Sequence, residues 1–406
     1  MIRQVAFFAS LFSMFVFGAI DMTRGVSGPL MQQGWHLSYL QLGYLFTANS
    51  TGYLFGSFVA GTVMARLGMA SILRLGAFLS GIGLTGVLLS PGYAVALACF
   101  LLSGFGNGWL EIGVNAVVPA ISSGPADSSR KFNTLHGFYG VGCVVFPTVA
   151  AVLANRTGTW HTGFAVAAGF MFTLLVIVLL IRYRRLTPSA DAHPAVVESA
   201  HNSTKAKRSL WTNPLFYGFA VALMMYVMIE SGIASWLPTF MVHVHGMSVR
   251  NGSLYLTGFY FLFTLGRLSG RLWVPRVGEY RAIFISGLVL FMVLAVAVVD
   301  PSLYVLFIVA GVGCAVIFPT VVSIASHAFP KNVGAVLGVL FTGAGIGSML
   351  VNSLIGVLAT HYGLAKAFWI FPVLVLVVLA SLVVTQILLQ RQHSATRADL
   401  GLEIPS

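Results

Sequence analysis

Four charged side chains, Asp21, Arg24, Glu111 and Glu230, interrupt long apolar runs of this chain. If those runs lie in a bilayer, each charge costs several kcal/mol, about 2.5–3.5 on insertion scales, so it must be paired, face a watery cavity or do chemistry. Asp21 and Arg24 are three residues apart and share one helix face within pairing range. Their chemistry is either a static ion pair that locks the first helix or the handling of a solute or a proton. Asn107, Glu111 and Asn115 recur at a spacing of four, one polar stripe along an otherwise apolar helix. Amides glue membrane helices, but a carboxylate between two amides exceeds what glue requires. The stripe is therefore predicted to bind a solute, with Glu111 the residue most directly tied to both solute and proton, and with Asp21 and Glu230 as further proton-coupling candidates.

Asn133, His136 and Tyr139 fall at three-residue steps and are expected to face the same space. Trp236 can either stack on a sugar ring or anchor at the membrane interface. Arg267 and Arg271, four apart near one end of a span, are predicted to snorkel to the headgroups and, with Arg66, to close a cytoplasmic gate. Other chemistries find no support. The glycine strings Gly81 to Gly86 and Gly343 to Gly347 are followed by no Gly-Lys-Ser/Thr, so they cradle no phosphate. Cys99, Cys143 and Cys314 lie inside apolar spans without metal-ligand spacing and are expected to be buried thiols. With no hydrolytic triad, metal cluster or nucleotide motif, the chain is predicted to be no enzyme and to need no cofactor.

The elements that carry these residues follow from composition. Of 406 residues, 58% are hydrophobic and only 8% charged, and the mean hydropathy is +0.91. Soluble domains carry about 25% charged residues, so the main solvent is lipid. The formal net charge of +12 points to the distribution of charge across a membrane rather than to nucleic acid. Turn and charge punctuation divides the chain into twelve spans: 4–31, 39–65, 71–90, 93–121, 132–155, 160–182, 213–242, 250–274, 280–299, 303–329, 334–360 and 363–390. The first resembles a signal peptide at its start but runs past Asp21 to Pro29 without a cleavage site, and is read as a retained helix. Residues 183–212 form the long polar segment, with Lys205, Lys207 and Arg208, that separates a bundle over 1–182 from one over 213–390; 391–406 reads as a tail.

With both termini on one side, the segments on that side hold 18 of the 22 Lys and Arg. The opposite loops keep only Arg156, Arg250 and Lys366. The positive-inside rule then places both termini in the cytoplasm of a plasma membrane, the inner membrane in a bacterium. The two halves also repeat. Asp21 stands eight residues before Pro29, and Glu230 eight before Pro238. Gly56 with Arg66 to Gly68 matches Gly266 with Arg276 to Gly278, 210 residues later, and Gly140 to Gly158 matches Gly345 to Gly363 at an offset of 205. Parallel repeats of six helices about an axis along the membrane normal describe the major facilitator architecture, an all-α membrane fold of two pseudo-symmetric six-helix bundles.

Within that architecture, four stretches resemble the fucose–galactose–glucose–proton symporter family. They are Gly104 to Asn115, glycine-rich around Glu111; Asn133 to Gly142, with His136 and Tyr139; Tyr226 to Pro238, with Glu230 and Trp236; and Gly266 to Gly270 around Arg267. The resemblance implies uptake of a sugar or similar polyhydroxylated solute by proton symport with alternating access. The chain departs from the pattern in two places. Ala65 stands where the superfamily usually has an acid before the basic residue, here Arg66. Proton-coupled sugar members place the first-helix acid four residues before the proline, which is Gly25 here, whereas this chain has Asp21. Expected partners are the solute, protons or sodium, and membrane lipid, with no nucleic acid and a monomeric state. Alternatives are proton-driven export of amphiphiles, against which helix five lacks a Gly-Pro pair between Gly142 and Pro147, and uptake of an organic anion anchored by Arg24. A sensor on the same fold or an intramembrane enzyme finds less support in the residues.

Overall fold

The computed structural model describes residues 2–181, 183, 213–329 and 333–399, nearly all of them helical. The basic linker expected over 183–212, apart from Tyr183, and Lys331 lie outside the described residues. The first half comprises α1 (Ile2–Trp35), α2 (Tyr39–Leu67), α3 (Met69–Leu88), α4 (Tyr93–Ile121), α5 (Pro125–Thr157) and α6 (His161–Leu180). The second comprises α7 (Pro214–His243), α8 (Val249–Val277), α9 (Glu279–Val299), α10 (Leu306–Cys314), α11 (Ile317–Ala328), α12 (Val333–Tyr362), α13 (Leu364–Ala367) and α14 (Ile370–Asp399). Each expected span is met by helix, with two departures. The tenth is split into α10 and α11, and the last is split into α13 and α14, which runs on to Asp399 because no glycine or proline follows Pro372 before Gly401.

Helix ends show why the sequence repeats. Ser38 caps α2 with a reciprocal Gln41 contact, and Ser248, 210 residues later, caps α8 through the Asn251 N–H. Gly68 and Gly278 leave those same helices at φ 79° and 94°, and Gly158 and Gly363 follow α5 and α12 at φ 67° and 84°. Left-handed backbone of this kind favours glycine. The packing repeats as well. In the first half α1 packs on α5, α2 on α4, and α3 on α4 and α6; in the second α7 packs on α12, α8 on α10, and α9 on α10 and α14. A methyl group at Gly104 would sit 2.0 Å from the Asn49 carbonyl oxygen, and one at Gly311 would sit 2.1 Å from that of Phe259. Both close approaches join the second and fourth helices of their half.

Among the described residues, ten helical stretches are long and apolar enough to cross a membrane. The other two long helices, α2 and α8, occupy equivalent places in the repeat and are more polar. They put that polarity between the halves, where α2 meets α12, α8 meets α5, and α1 meets α7. Many large apolar side chains, among them Leu180, Leu288 and Val384, are exposed, as burial in lipid allows.

The contact between halves is one-sided. From the α1–α2 turn inward it runs through Leu40 N–H to Thr360 Oγ1 (3.1 Å), Thr47 to Ser353 (2.7 Å) and Ser50 to Ser348 (3.3 Å), and ends where Leu54 meets Gly345. Tyr39 and His243 add a bond of 3.2 Å, and Thr148 and Thr257 one of 3.0 Å. Towards the opposite face Gly61, Gly137, Gly338 and Gly343 have nothing within 4 Å of an added Cβ. The halves are sealed on one face and parted on the other.

Candidate functional site

Two prolines set the geometry at the centre. Pro29 in α1 and Pro238 in α7 carry no N–H, which frees the carbonyls four residues earlier, those of Gly25 and Ala234. These are the residues at which α1 and α7 cross: a methyl group at Gly25 would lie 2.2 Å from the Ala234 carbonyl oxygen. One turn before the crossing on each helix stands an acid, Asp21 and Glu230. Both line one small cavity of about 60 Å³, together with Arg24, Tyr139, Ser231, Ser235, Tyr260 and Ser348 among others.

Asp21 is fully engaged there. Arg24 Nη2 donates to Oδ1 at 2.8 Å and the Tyr139 hydroxyl to Oδ2 at 3.0 Å. The ion pair read from the spacing of three is present, with side chains 14% and 19% exposed. Arg24 Nε is buried and has no acceptor among the described residues. Glu230 lies beside the Tyr226 hydroxyl. Glu111 does not line this cavity; it accepts a hydrogen bond from Tyr53 of α2. The Tyr53 ring is 6.2 Å from Phe17, which is 5.5 Å from Tyr139, so a row of aromatic rings joins Glu111 to Asp21. Each membrane acid thus has a tyrosine hydroxyl beside it.

The predicted polar stripe on α4 divides. Asn107, only 2% exposed, turns to α3, where its Oδ1 accepts from Ser80 at 2.7 Å. This corrects its assignment to the solute site: a step of four residues advances about 40° beyond one full turn, enough to move Asn107 onto a neighbouring helix. Asn115 Oδ1 is buried without a partner among the described residues. On α5, Tyr139 reaches the cavity while His136 is exposed on the parted side; the side chain of Asn133 lies outside what is described.

Trp236 too lies away from the place expected of it. It is fully buried, donates to Asn352 Oδ1 at 3.2 Å and meets Phe46 edge-on at 5.7 Å. It belongs to the seal between the halves, and neither a sugar platform nor an interfacial anchor describes it. Arg66 and Arg271 are exposed and make no ion pair among the described residues. Arg267 donates from Nε to the Ala315 carbonyl at 3.2 Å and lies 4.2 Å over the Phe263 ring. That carbonyl is free because Pro319, four residues on, has no N–H. The neighbouring Cys314 carbonyl accepts from Tyr226 at 2.9 Å. The helix break between α10 and α11 is therefore capped by two side chains, from α7 and α8. All three cysteines are free thiols, Cys143 and Cys314 buried and Cys99 half-buried.

The sequence profile of the Major Facilitator Superfamily matches residues 6–279 and 252–402. The chain belongs to that superfamily. It is similar to a glucose/galactose transporter of Brucella abortus, 23% identical over 364 residues that cover 87% of each protein. It is similar also to a TsgA homolog of Edwardsiella ictaluri, 21% identical over 358 residues covering 87% of this chain and 88% of that one. Among solved structures, a point mutant of the nucleoside transporter NupG superposes with a TM-score of 0.77 at 14% identity, over 95% of this chain and 100% of that one. A D-xylose-proton symporter superposes with a TM-score of 0.70 at 16% identity, over 93% and 96%. These structural likenesses establish the fold. As a major facilitator protein the chain is a multi-pass membrane transporter and not an enzyme, and its central cavity lies between the two halves of the fold.

Proposed function

We propose that this protein is a secondary active transporter that carries a small polar solute of the sugar class together with protons by alternating access. One observation carries the reading: Asp21 and Glu230, equivalent in the repeat, line a single polar cavity between the two halves. Acids at that place can take up a proton when the cavity opens to one face and release it when it opens to the other. The hydroxyls of Tyr139, Tyr260, Ser231, Ser235 and Ser348 supply the donors and acceptors that a hydroxylated solute needs. The name of the Brucella relative, a glucose/galactose transporter, points the same way.

Twelve crossings, counting α2 and α8, put both termini and the basic 183–212 linker on one face. That face is cytoplasmic by its Lys and Arg excess, so the parted side opens to the cytoplasm and the sealed side faces out of the cell. The unit is a monomer in the plasma membrane. Uptake of labelled glucose, galactose and the corresponding sugar acids into proteoliposomes tests the reading. Accumulation that requires an inward proton gradient is expected; uptake that ignores the gradient, or no uptake of any such solute, contradicts it.

A further inference from the structure

We infer that the solute carries a carboxylate, and that this carboxylate and Asp21 take turns on Arg24. The inference rests on the proton-symport reading and narrows its solute to hydroxylated acids. Arg24 is the one cation among the described residues that line the cavity. A guanidinium offers five N–H donors in a fixed fork. Asp21 takes one at 2.8 Å, and Nε stays buried with no acceptor among the described residues. A fork of this geometry matches a carboxylate through two parallel hydrogen bonds, which a sugar hydroxyl cannot reproduce. The space beside it, about 60 Å³, holds a few waters or a small head group but no sugar ring. The remainder of the solute then lies beyond this cavity, towards the parted face.

Charge decides how the exchange works. The groups facing Asp21 from the helices around it are Tyr53 of α2, Glu111 of α4, Tyr139 and Cys143 of α5, Glu230 of α7 and Tyr260 of α8. None is a cation; Arg267 of α8, whose Nε donates to the Ala315 carbonyl, does not line the cavity and lends its charge to Glu230 rather than to Asp21. A carboxylate entering beside an ionised Asp21 would therefore leave uncompensated negative charge in the membrane. If Asp21 first takes a proton from the proton-rich side, its carboxyl becomes neutral and Arg24 is free for the solute. On release to the other face the solute departs, Asp21 loses its proton to that side, and the ion pair re-forms. Only an O–H bond is made and broken. One proton accompanies one carboxylate, with no net charge moved. A phosphate dianion would meet Glu230 with an extra charge and is disfavoured.

The test is binding to the full-length purified protein, measured by calorimetry at pH 5.5 and pH 8. The probes are gluconate, glucuronate and lactate, with glucose and galactose as neutral controls. At least one acid is expected to bind at the lower pH and to weaken about tenfold or more at the higher. Asp21→Asn mimics the protonated carboxyl, so it should bind the acid equally at both. Adding Arg24→Gln to that variant should weaken the acid roughly tenfold to a hundredfold, the scale of a hydrogen bond to a charged group. Adding Arg24→Lys in its place should restore part of the affinity. The double variant strands no charge, and its thermal midpoint reports whether it folds. Acid binding that survives Arg24→Gln in a folded protein overturns the inference. So does failure of every acid to bind. If in that case a neutral sugar is taken up with protons, the symport reading stands alone; if neither class moves, both fall.

Discussion

At the scale of single residues, spacing paired Asp21 with Arg24 and the repeat matched Asp21 to Glu230, and all three line one cavity, whereas Glu111, expected closest to the solute, lies outside it. A membrane-buried charge has few places to go, but the local pattern does not say which. It misjudged Asn107 and Trp236. A residue's helix face follows from its number only to within the drift of about 40° per four-residue step, and the identity of the facing helix is not written in the local sequence. Two expectations belong here. Arg24→Ala strands the Asp21 carboxylate, whose pairing Arg24 supplies at 2.8 Å. It should therefore lower the thermal midpoint and the yield of folded protein more than Arg24→Ala combined with Asp21→Asn, since breaking a buried pair costs about 3–5 kcal/mol whereas removing both partners costs less. Equal damage from both would assign Arg24 a role independent of Asp21. Glu111→Gln keeps the acceptor oxygen for Tyr53 and removes the titration. Uphill uptake should be abolished while exchange of labelled for unlabelled solute persists. A mutant that still concentrates solute under a pH gradient would remove Glu111 from the proton path and leave the proton to Asp21 or Glu230.

At the scale of helices, most boundaries were legible because serine caps and junction glycines recur at a fixed offset. The break between α10 and α11 was also present in the sequence, as Pro319 four residues after Ala315, but its meaning depends on Arg267 and Tyr226 arriving from other helices to satisfy the freed carbonyls. The close approach of paired helices gives a stability test. Gly104→Val and Gly311→Val should each lower the thermal midpoint, at a cost of about 1–3 kcal/mol for overpacking, while Gly61→Val, with open space around it, should change little. The seal gives a functional one. Thr47 and Ser353 lie with hydroxyls 2.7 Å apart across α2 and α12. A disulfide formed by Thr47→Cys with Ser353→Cys should stop transport, and reduction should restore it. Full activity in the oxidised protein would show that this seam does not open.

At the scale of the whole molecule, the division into two related halves was legible because the repeat carries both polar and glycine positions. Which face is closed was not. A transporter's sequence must satisfy both arrangements, so the hydroxyl seam of α2 and α12 has no local signature that favours one of them. The charge bias is legible, and it predicts a topology that fusions can test: reporters after Arg185 and after Arg397 should read as cytoplasmic and one after Trp35 as external. An external reading after Arg185 would undo the six-plus-six arrangement. Proton coupling is tested most directly in proteoliposomes that enclose a pH-sensitive dye, with solute added outside and no imposed gradient. Symport through Asp21, Glu111 and Glu230 predicts acidification of the interior that starts with solute entry and disappears in Glu111→Gln or Asp21→Asn protein. Entry of solute into wild-type vesicles with the internal pH unchanged would contradict it.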